Sequence, residues 1–257
     1  MQNANDRSEE GSFSPFDIWE KGGSTTHLGG ISATRALMDE ISPLSNNRIL
    51  EIGCGTGYTS SLLASIPGIR LTSFDLLHGN LRKAQNRLEK LEANQDVRLL
   101  QADAHWLPFQ DRSFTCVLLE SVLVFCDQTR VLSEIQRVLE PGGKILLNEF
   151  TFLKPPDASL LSIVKDRMHL EAKQQSEWES LLISSGFRSI NSSVYKIRFG
   201  VQFSDHLKVD GVRNYFHAMI AGIGDRAIRR NFFNREMLAA ARSFLPYVGY
   251  GLYSGIK

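Results

Sequence analysis

The chain has 257 residues, and Lys plus Arg (29) nearly balances Asp plus Glu (28), leaving a formal charge of +1. That length suits one α/β domain with an insertion, and a charge so close to zero gives the whole chain no pull toward nucleic acid or an acidic membrane. Three cysteines (Cys54, Cys116, Cys126) without a C-x-x-C pair predict reduced thiols and no metal site; with no N-terminal apolar segment, and Glu120 interrupting the most apolar window, a soluble cytoplasmic protein without a membrane span is expected.

Residues 1–12 are polar and lack periodicity, which predicts a flexible tail. Ser14 to Lys21 suits a short helix with Pro15 in its first turn and Trp19 on it. Two glycine pairs then flank His27, and Ile31 to Ile41 carries a second helical pattern. Next comes Arg48 to Tyr58 (R-I-L-E-I-G-C-G-T-G-Y), an apolar run that ends in glycines and leads into a helix over Tyr58 to Ser65. Gly53, Gly55 and Gly57 let the backbone turn sharply and a ligand come close, and the first amides of the helix lack intrahelical partners. A dinucleotide fingerprint requires a further glycine where Tyr58 stands, which disfavours NAD and FAD.

Arg70 to Leu76 reads as the second strand, with Asp75 about 20 residues past the turn, where a carboxylate can accept from both hydroxyls of a ribose. An amphipathic helix over His78 to Glu92 follows, with Leu81, Ala84, Leu88 and Leu91 on one face. Val97 to Asp103 is the third strand and Ser113 to Glu120 the fourth. A helix from Gln128 to Leu139 stops at Pro141-Gly142-Gly143, and Lys144 to Phe152 forms the fifth strand. Further on, Ser176 to Ser185 reads as a helix, Asn191 to Phe199 as a strand, Asp205 to Leu245 as mostly helical, and Tyr250 to Ile256 as the closing strand. From 205 to 257, eight basic residues less four acidic ones leave +4.

Glu51 ahead of G-x-G-x-G resembles motif I of the class I S-adenosylmethionine (SAM) methyltransferases. With Asp75, Asp103-Ala104 and the Leu139-Glu-Pro-Gly-Gly143 turn, residues 48 to 152 resemble the type 11 small-molecule group. The resemblance implies a Rossmann-like, seven-stranded, mostly parallel sheet with an antiparallel last strand, N-terminal lid helices and a helical insertion before that strand. The implied organisation is a single domain over 13–257: a lid at 13–45, a core at 46–200, a helical cap at 203–248 and a final strand at 249–257. A surface helix hairpin is the alternative to the lid.

The cofactor implied is SAM, with S-adenosylhomocysteine as product, bound by Glu51, Gly53, Cys54, Gly55, Gly57, Asp75, Leu76, Asp103, Ala104 and Glu120. Asp103 would accept from the adenine amine and the Ala104 amide would donate to the ring, with Trp106 and Phe109 as adenine walls or ordinary core. Substrate candidates are Trp19, His27, Glu120, Phe125 and Tyr215. His27 and Glu149 are the base candidates, the alternatives being a helix cap for His27 and a core ion pair for Glu149. Asn148 and Glu149 must face opposite sides of their strand. His169, Tyr195 and His217 lie where a cap could bring them in. No Asn/Asp-Pro-Pro-Tyr follows strand four and neither Cys116 nor Cys126 follows a proline, so methylation of DNA bases is not expected. A small-molecule acceptor is expected and a homodimer through the insertion is possible in this scheme; an RNA methyltransferase using the basic insertion and a non-catalytic SAM-binding scaffold are the alternatives.

Overall fold

A computed structural model of the chain describes residues 27–41, 47–90, 97–197, 204–205 and 245–257. Helix α1 (Gly30–Asp39) precedes strand β1 (Asn47–Ile52), and then come α2 (Tyr58–Ala64), β2 (Ile69–Asp75), α3 (His78–Glu89), β3 (Val97–Gln101) and β4 (Phe114–Glu120). A 3-10 turn (Leu123–Phe125) leads into α4 (Gln128–Val138) and β5 (Leu139–Phe152). The chain continues through α5 (Ala158–Ser162), a π-helical turn (Ile163–Arg167), β6 (Lys173–Gln174), α6 (Gln175–Ser184), β7 (Arg188–Lys196) and β8 (Val248–Ile256).

The strands form one sheet in the order β3-β2-β1-β4-β5-β8-β7, with the two-residue β6 pairing beside Thr151 and Phe152 of β5. Pairing from β3 to β5 is parallel, and β8 runs antiparallel to both of its neighbours. This is the expected Rossmann-like sheet with a reversed last strand, extended by β6.

Period-two alternation divides the core into two layers. Leu50, Ile52, Val117, Leu119, Ile145 and Leu147 meet Val131, Leu132 and Ile135 of α4 and Trp178 of α6 on one face. Ile49, Cys116, Leu118 and Leu146 meet Leu37 of α1 and Leu63 of α2 on the other. Helix α1 therefore lies on the sheet as a core layer, with Ala33, Thr34 and Leu37 buried. Trp19, the rest of the expected lid, and Tyr215 and His217 of the expected cap lie outside the described residues, as does the stretch 206–244 on which the homodimer expectation falls. No helix among the described residues is long and apolar enough to cross a membrane.

Candidate functional site

The site begins where β1 ends. Gly53, Gly55 and Gly57 hold φ of 73°, 53° and 77°, a left-handed region that costs other residues about 1–2 kcal/mol each. The Gly53 and Cys54 amides both donate to the Phe74 carbonyl at 2.9 Å, which locks the turn to β2. A Cβ at Gly53 or Gly57 would collide with Val122 or Ala84, whereas one at Gly55 would meet nothing within 4 Å. Gly55 is thus the point where the turn opens outward. The Cys54 side chain packs inward with Leu81 and Ala84, leaving only its backbone to a ligand.

Glu51 supports this turn from behind. Its Oε2 accepts from Ser60 of α2 at 2.5 Å and Ser73 of β2 at 2.6 Å, and only 2% of the residue is exposed. Its Oε2 thus faces protein hydroxyls of the elements that flank the turn. Asp75 stands at the rim beside it. Its Oδ2 accepts from the Gly55 amide at 2.8 Å, and its Oδ1 from the Leu77 amide at 2.8 Å and Asn80 at 3.2 Å. Burial pushes its carboxyl above the usual range against these bonds. Each carboxylate oxygen has two lone-pair sites, so Asp75 can hold the turn and still accept from a ligand. Leu76 beside it is 50% exposed, an apolar surface for a flat ring to cover.

Asp103 follows β3 and is half exposed. The His105 amide and ring Nδ1 reach its Oδ1 at 2.9 and 2.6 Å. His105 Nε2 accepts from the Asp127 amide at 3.1 Å, so the proton of the neutral ring is on Nδ1. Burial raises the Asp103 carboxyl, but the His105 bonds outweigh it and hold it below the usual range. Ala104 is buried, so only its backbone could read an adenine edge. Of the two aromatics expected as adenine walls or core, Trp106 is exposed under the Arg130 guanidinium, 3.8 Å from its ring centre, and Phe109 packs edge-on against Phe114 beside the core. Arg137 fastens this loop through the Leu107 and Phe109 carbonyls and through Glu134 and Asp111.

Glu120 ends β4 beneath α1. Thr34 and Thr59 donate to its two oxygens at 2.9 and 2.8 Å, and Asn148 lies at 3.3 Å while also donating to the Leu28 carbonyl. His27 Nε2 is 3.9 Å from Glu120 Oε1, beyond hydrogen-bond length. Glu149 is on the opposite face. Its Oε1 accepts from the Val122 and Leu123 amides at 3.0 and 2.7 Å, which pins the 3-10 turn. The two base candidates are therefore separated by the sheet, and Glu149 has backbone amides where a core arginine was the alternative.

Next to this group, Ser121 carries a left-handed φ of 60° without being glycine. Such strain clusters at functional sites. Thr56 Oγ1, Ser121 Oγ, Asn148 Oδ1 and Glu149 Oε2 are buried polar atoms with no hydrogen-bond partner among the described residues. They lie in the glycine turn or at the carboxyl ends of β4 and β5, where open α/β sheets bind ligands. A ligand rich in polar groups would satisfy them.

A cavity of about 610 Å³ opens between the 3-10 turn with the start of α4 and the chain from the π turn to β6. Phe125 and Cys126 form part of its wall, as do Lys165, His169 and Lys173. Burial above all pushes the Cys126 thiol up to about 12. Tyr195 is outside this group, stacked on Tyr250 at 5.2 Å in the β7-β8 pair. Ser121, Thr56 and His105 have no sequence signature. Asn80 has a weak one, a polar residue in the first helical turn after Asp75.

Burial pushes the Glu51 and Glu149 carboxyls up from the ordinary 4.5 to about 7 and about 8. The folded chain therefore holds these protons more tightly than the unfolded chain, and stability falls as pH rises from about 4.5 through 8. Glu149→Gln removes one contribution. Between about pH 5 and 8 the variant should lose less unfolding free energy than the wild type, by about 1 kcal/mol or more. Urea denaturation at each pH measures this; parallel profiles would contradict it.

Residues 50–147 match a family model described as a methyltransferase domain. The chain is 36% identical over 165 residues to an uncharacterized methyltransferase, YodH, of Bacillus subtilis, covering 63% of this chain and 69% of that protein. An O-methyltransferase of Penicillium expansum, cnsE, is 29% identical over 170 residues, covering 65% of this chain and 61% of the relative. Phosphoethanolamine N-methyltransferase 2 of Haemonchus contortus, solved with phosphomonomethylethanolamine and S-adenosylhomocysteine, superposes with a TM-score of 0.70 at 21% identity, over 95% of this chain and 57% of that one.

Proposed function

Since the chain belongs to the class I SAM-dependent methyltransferases, we propose that it methylates a small molecule seated in the cavity beside the 3-10 turn. The observation that carries this reading is that the chain around the 3-10 turn borders two spaces, Val122 standing against Gly53 and the Asp127 amide bonding His105 on one side while Val124 to Thr129 line a cavity on the other. One is the open glycine turn with Asp75, Leu76 and Asp103 around it; the other is a separate cavity of about 610 Å³, within the range of small-molecule sites.

SAM, the cofactor of this family, supplies an electrophilic methyl on a sulfonium. In the proposed arrangement Asp75 accepts from the ribose diol, Leu76 covers one face of the adenine, and Asp103 and the Ala104 backbone read its edge. Gly55 lets the backbone approach, and Thr56 and Ser121 offer hydroxyls that lack partners among the described residues. Glu120 presents negative charge toward the cationic end of the cofactor. Phe125 gives the acceptor an apolar wall.

Positioning and exclusion of water are the main contributions the chain can make to an in-line displacement. For an acceptor that must lose a proton, neither base candidate is well placed: His27 stands beside Glu120 on the other side of the sheet from the cavity wall, and the Glu149 carboxyl, holding its proton to about pH 8, is a poor base at neutrality.

The test is incubation of the full chain with SAM carrying a tritiated methyl, together with low-molecular-mass cell extract, total RNA or total protein. Label is expected in the small-molecule fraction. Label in RNA would instead support the basic-insertion alternative, and SAM binding without label in any fraction would support a scaffold.

A further inference from the structure

The cavity wall contributed by residues 163–174 has an unusual backbone. Met168 N–H donates to the Ile163 carbonyl at 3.1 Å, an i→i+5 bond, and Leu170 N–H reaches the Val164 carbonyl at 3.0 Å. His169 closes this π turn with a left-handed φ of 52°. π turns and strained single residues recur at functional sites. The reversal returns the chain so that Lys173 and Gln174 pair beside the end of β5. It is braced on the far side, where Glu171 N–H donates to the Val124 carbonyl at 2.7 Å and Gln128 Nε2 to the Glu171 carbonyl at 2.7 Å. Lys165 in the turn and Lys173 in β6 are thereby brought to one cavity from separate elements.

Neither lysine forms an ion pair with a carboxylate among the described residues. Of the two acids that also line the cavity, Asp127 is engaged as the cap of α4, accepting from the Arg130 amide at 3.0 Å. Glu171 is tied down through its main chain, with its residue exposed at the rim. His169 adds an imidazole between the lysines in sequence, and Gln128 and Thr129 bring the positive end of α4 into the wall.

We propose that this cavity binds an anionic group of the methyl acceptor, a carboxylate or a phosphate, between Lys165 and Lys173. The proposal rests on the cavity being the acceptor seat. Lysine ammoniums suit either anion as point charges, and Lys173 Nζ stands 6.0 Å from the Trp178 ring centre, a contact that a bound anion would leave in place. The opposite, apolar side of the same cavity, with Phe125 and Leu170, then takes the remainder of the acceptor.

The test uses the full chain saturated with S-adenosylhomocysteine. Inorganic phosphate is followed by phosphorus NMR line broadening and acetate by saturation-transfer difference, each against chloride at equal ionic strength. The wild type should bind at least one of the two, and Lys165→Gln/Lys173→Gln should weaken that binding by about tenfold or more, with S-adenosylhomocysteine affinity unchanged within about twofold. Broadening of phosphate alone identifies a phosphate seat, and a response to acetate alone a carboxylate seat. Binding no stronger than chloride, or equal in the double variant, overturns the proposal. Lysine-dependent anion binding in a chain that fails to bind S-adenosylhomocysteine would overturn the acceptor assignment through the methyltransferase reading, and is distinguishable from loss of the anion seat.

Discussion

Asp75→Ala should weaken SAM binding by about 10- to 100-fold while the protein remains folded. Gly55, Leu77 and Asn80 take three of the four lone-pair sites of this carboxylate, which leaves one for the ribose diol, and a hydrogen bond to a charged group is worth about 1.5–3 kcal/mol, roughly 10–10² in affinity. The variant also removes the acceptor for the Gly55 and Leu77 amides, so the glycine turn loosens where the cofactor approaches. Asp75→Asn is the informative control. It keeps an acceptor oxygen for one amide and loses the charge, so it should bind SAM more weakly than the wild type and more tightly than the alanine variant. Calorimetric titration of the three proteins, with circular dichroism to confirm folding, measures the order. Equal affinities would remove Asp75 from the site.

The second large effect separates two glycines of one turn. In Gly57→Ala the new Cβ would stand 2.7 Å from the Ala84 Cβ and 2.8 Å from the Ala84 Cα, at a φ of +77°. The obstacle is the backbone of α3, which cannot rotate away. Left-handed strain of about 1–2 kcal/mol and overpacking of about 1–3 kcal/mol add to roughly 3 kcal/mol, a large part of a typical domain's stability. Gly55→Ala carries the strain at φ +53° without the collision, because its Cβ faces open space. It should therefore stay folded, with a smaller loss of stability, and lose SAM affinity by about tenfold or more as the methyl fills the approach to the turn. Denaturant unfolding beside SAM titration reads both effects. A Gly55 variant that binds like the wild type would place the cofactor elsewhere.

The sheet and the glycine turn were legible in the sequence because they depend on short-range signals. Apolar runs ending in glycine mark β1, and the distance to Asp75 and the acid of Asp103-Ala104 place two further strand ends. Parity along β5 correctly separates Asn148 from Glu149, since successive side chains alternate. Parity does not say which face holds the ligand, and only the packing of α1 on Glu120 and the capping of the 3-10 turn by Glu149 distinguish them. The ordering of Thr34 and Thr59 around Glu120 joins residues 86 and 61 positions away from it, so no local pattern carries it.

The cavity is harder still to foresee. One wall is Val124 to Thr129 and the other Lys165 to Lys173, and the second depends on a π turn, a left-handed His169 and a two-residue strand, none of which has a periodic signature. The helix at Ile31 to Ile41 was correctly expected as a helix, yet its amphipathic pattern does not identify the surface it covers. Leu37 settles that by packing against Ile49, Leu63 and Leu118.

The most direct measurement of the central claim is calorimetric titration of the full wild-type chain with SAM and with S-adenosylhomocysteine. Saturable one-to-one binding of both, with a dissociation constant in the micromolar range or tighter, is the result this account predicts. A folded protein that binds neither would contradict it, because the open turn at Gly55, the Asp75 carboxylate and the Thr56 and Ser121 hydroxyls, unpartnered among the described residues, would then have no cofactor to serve.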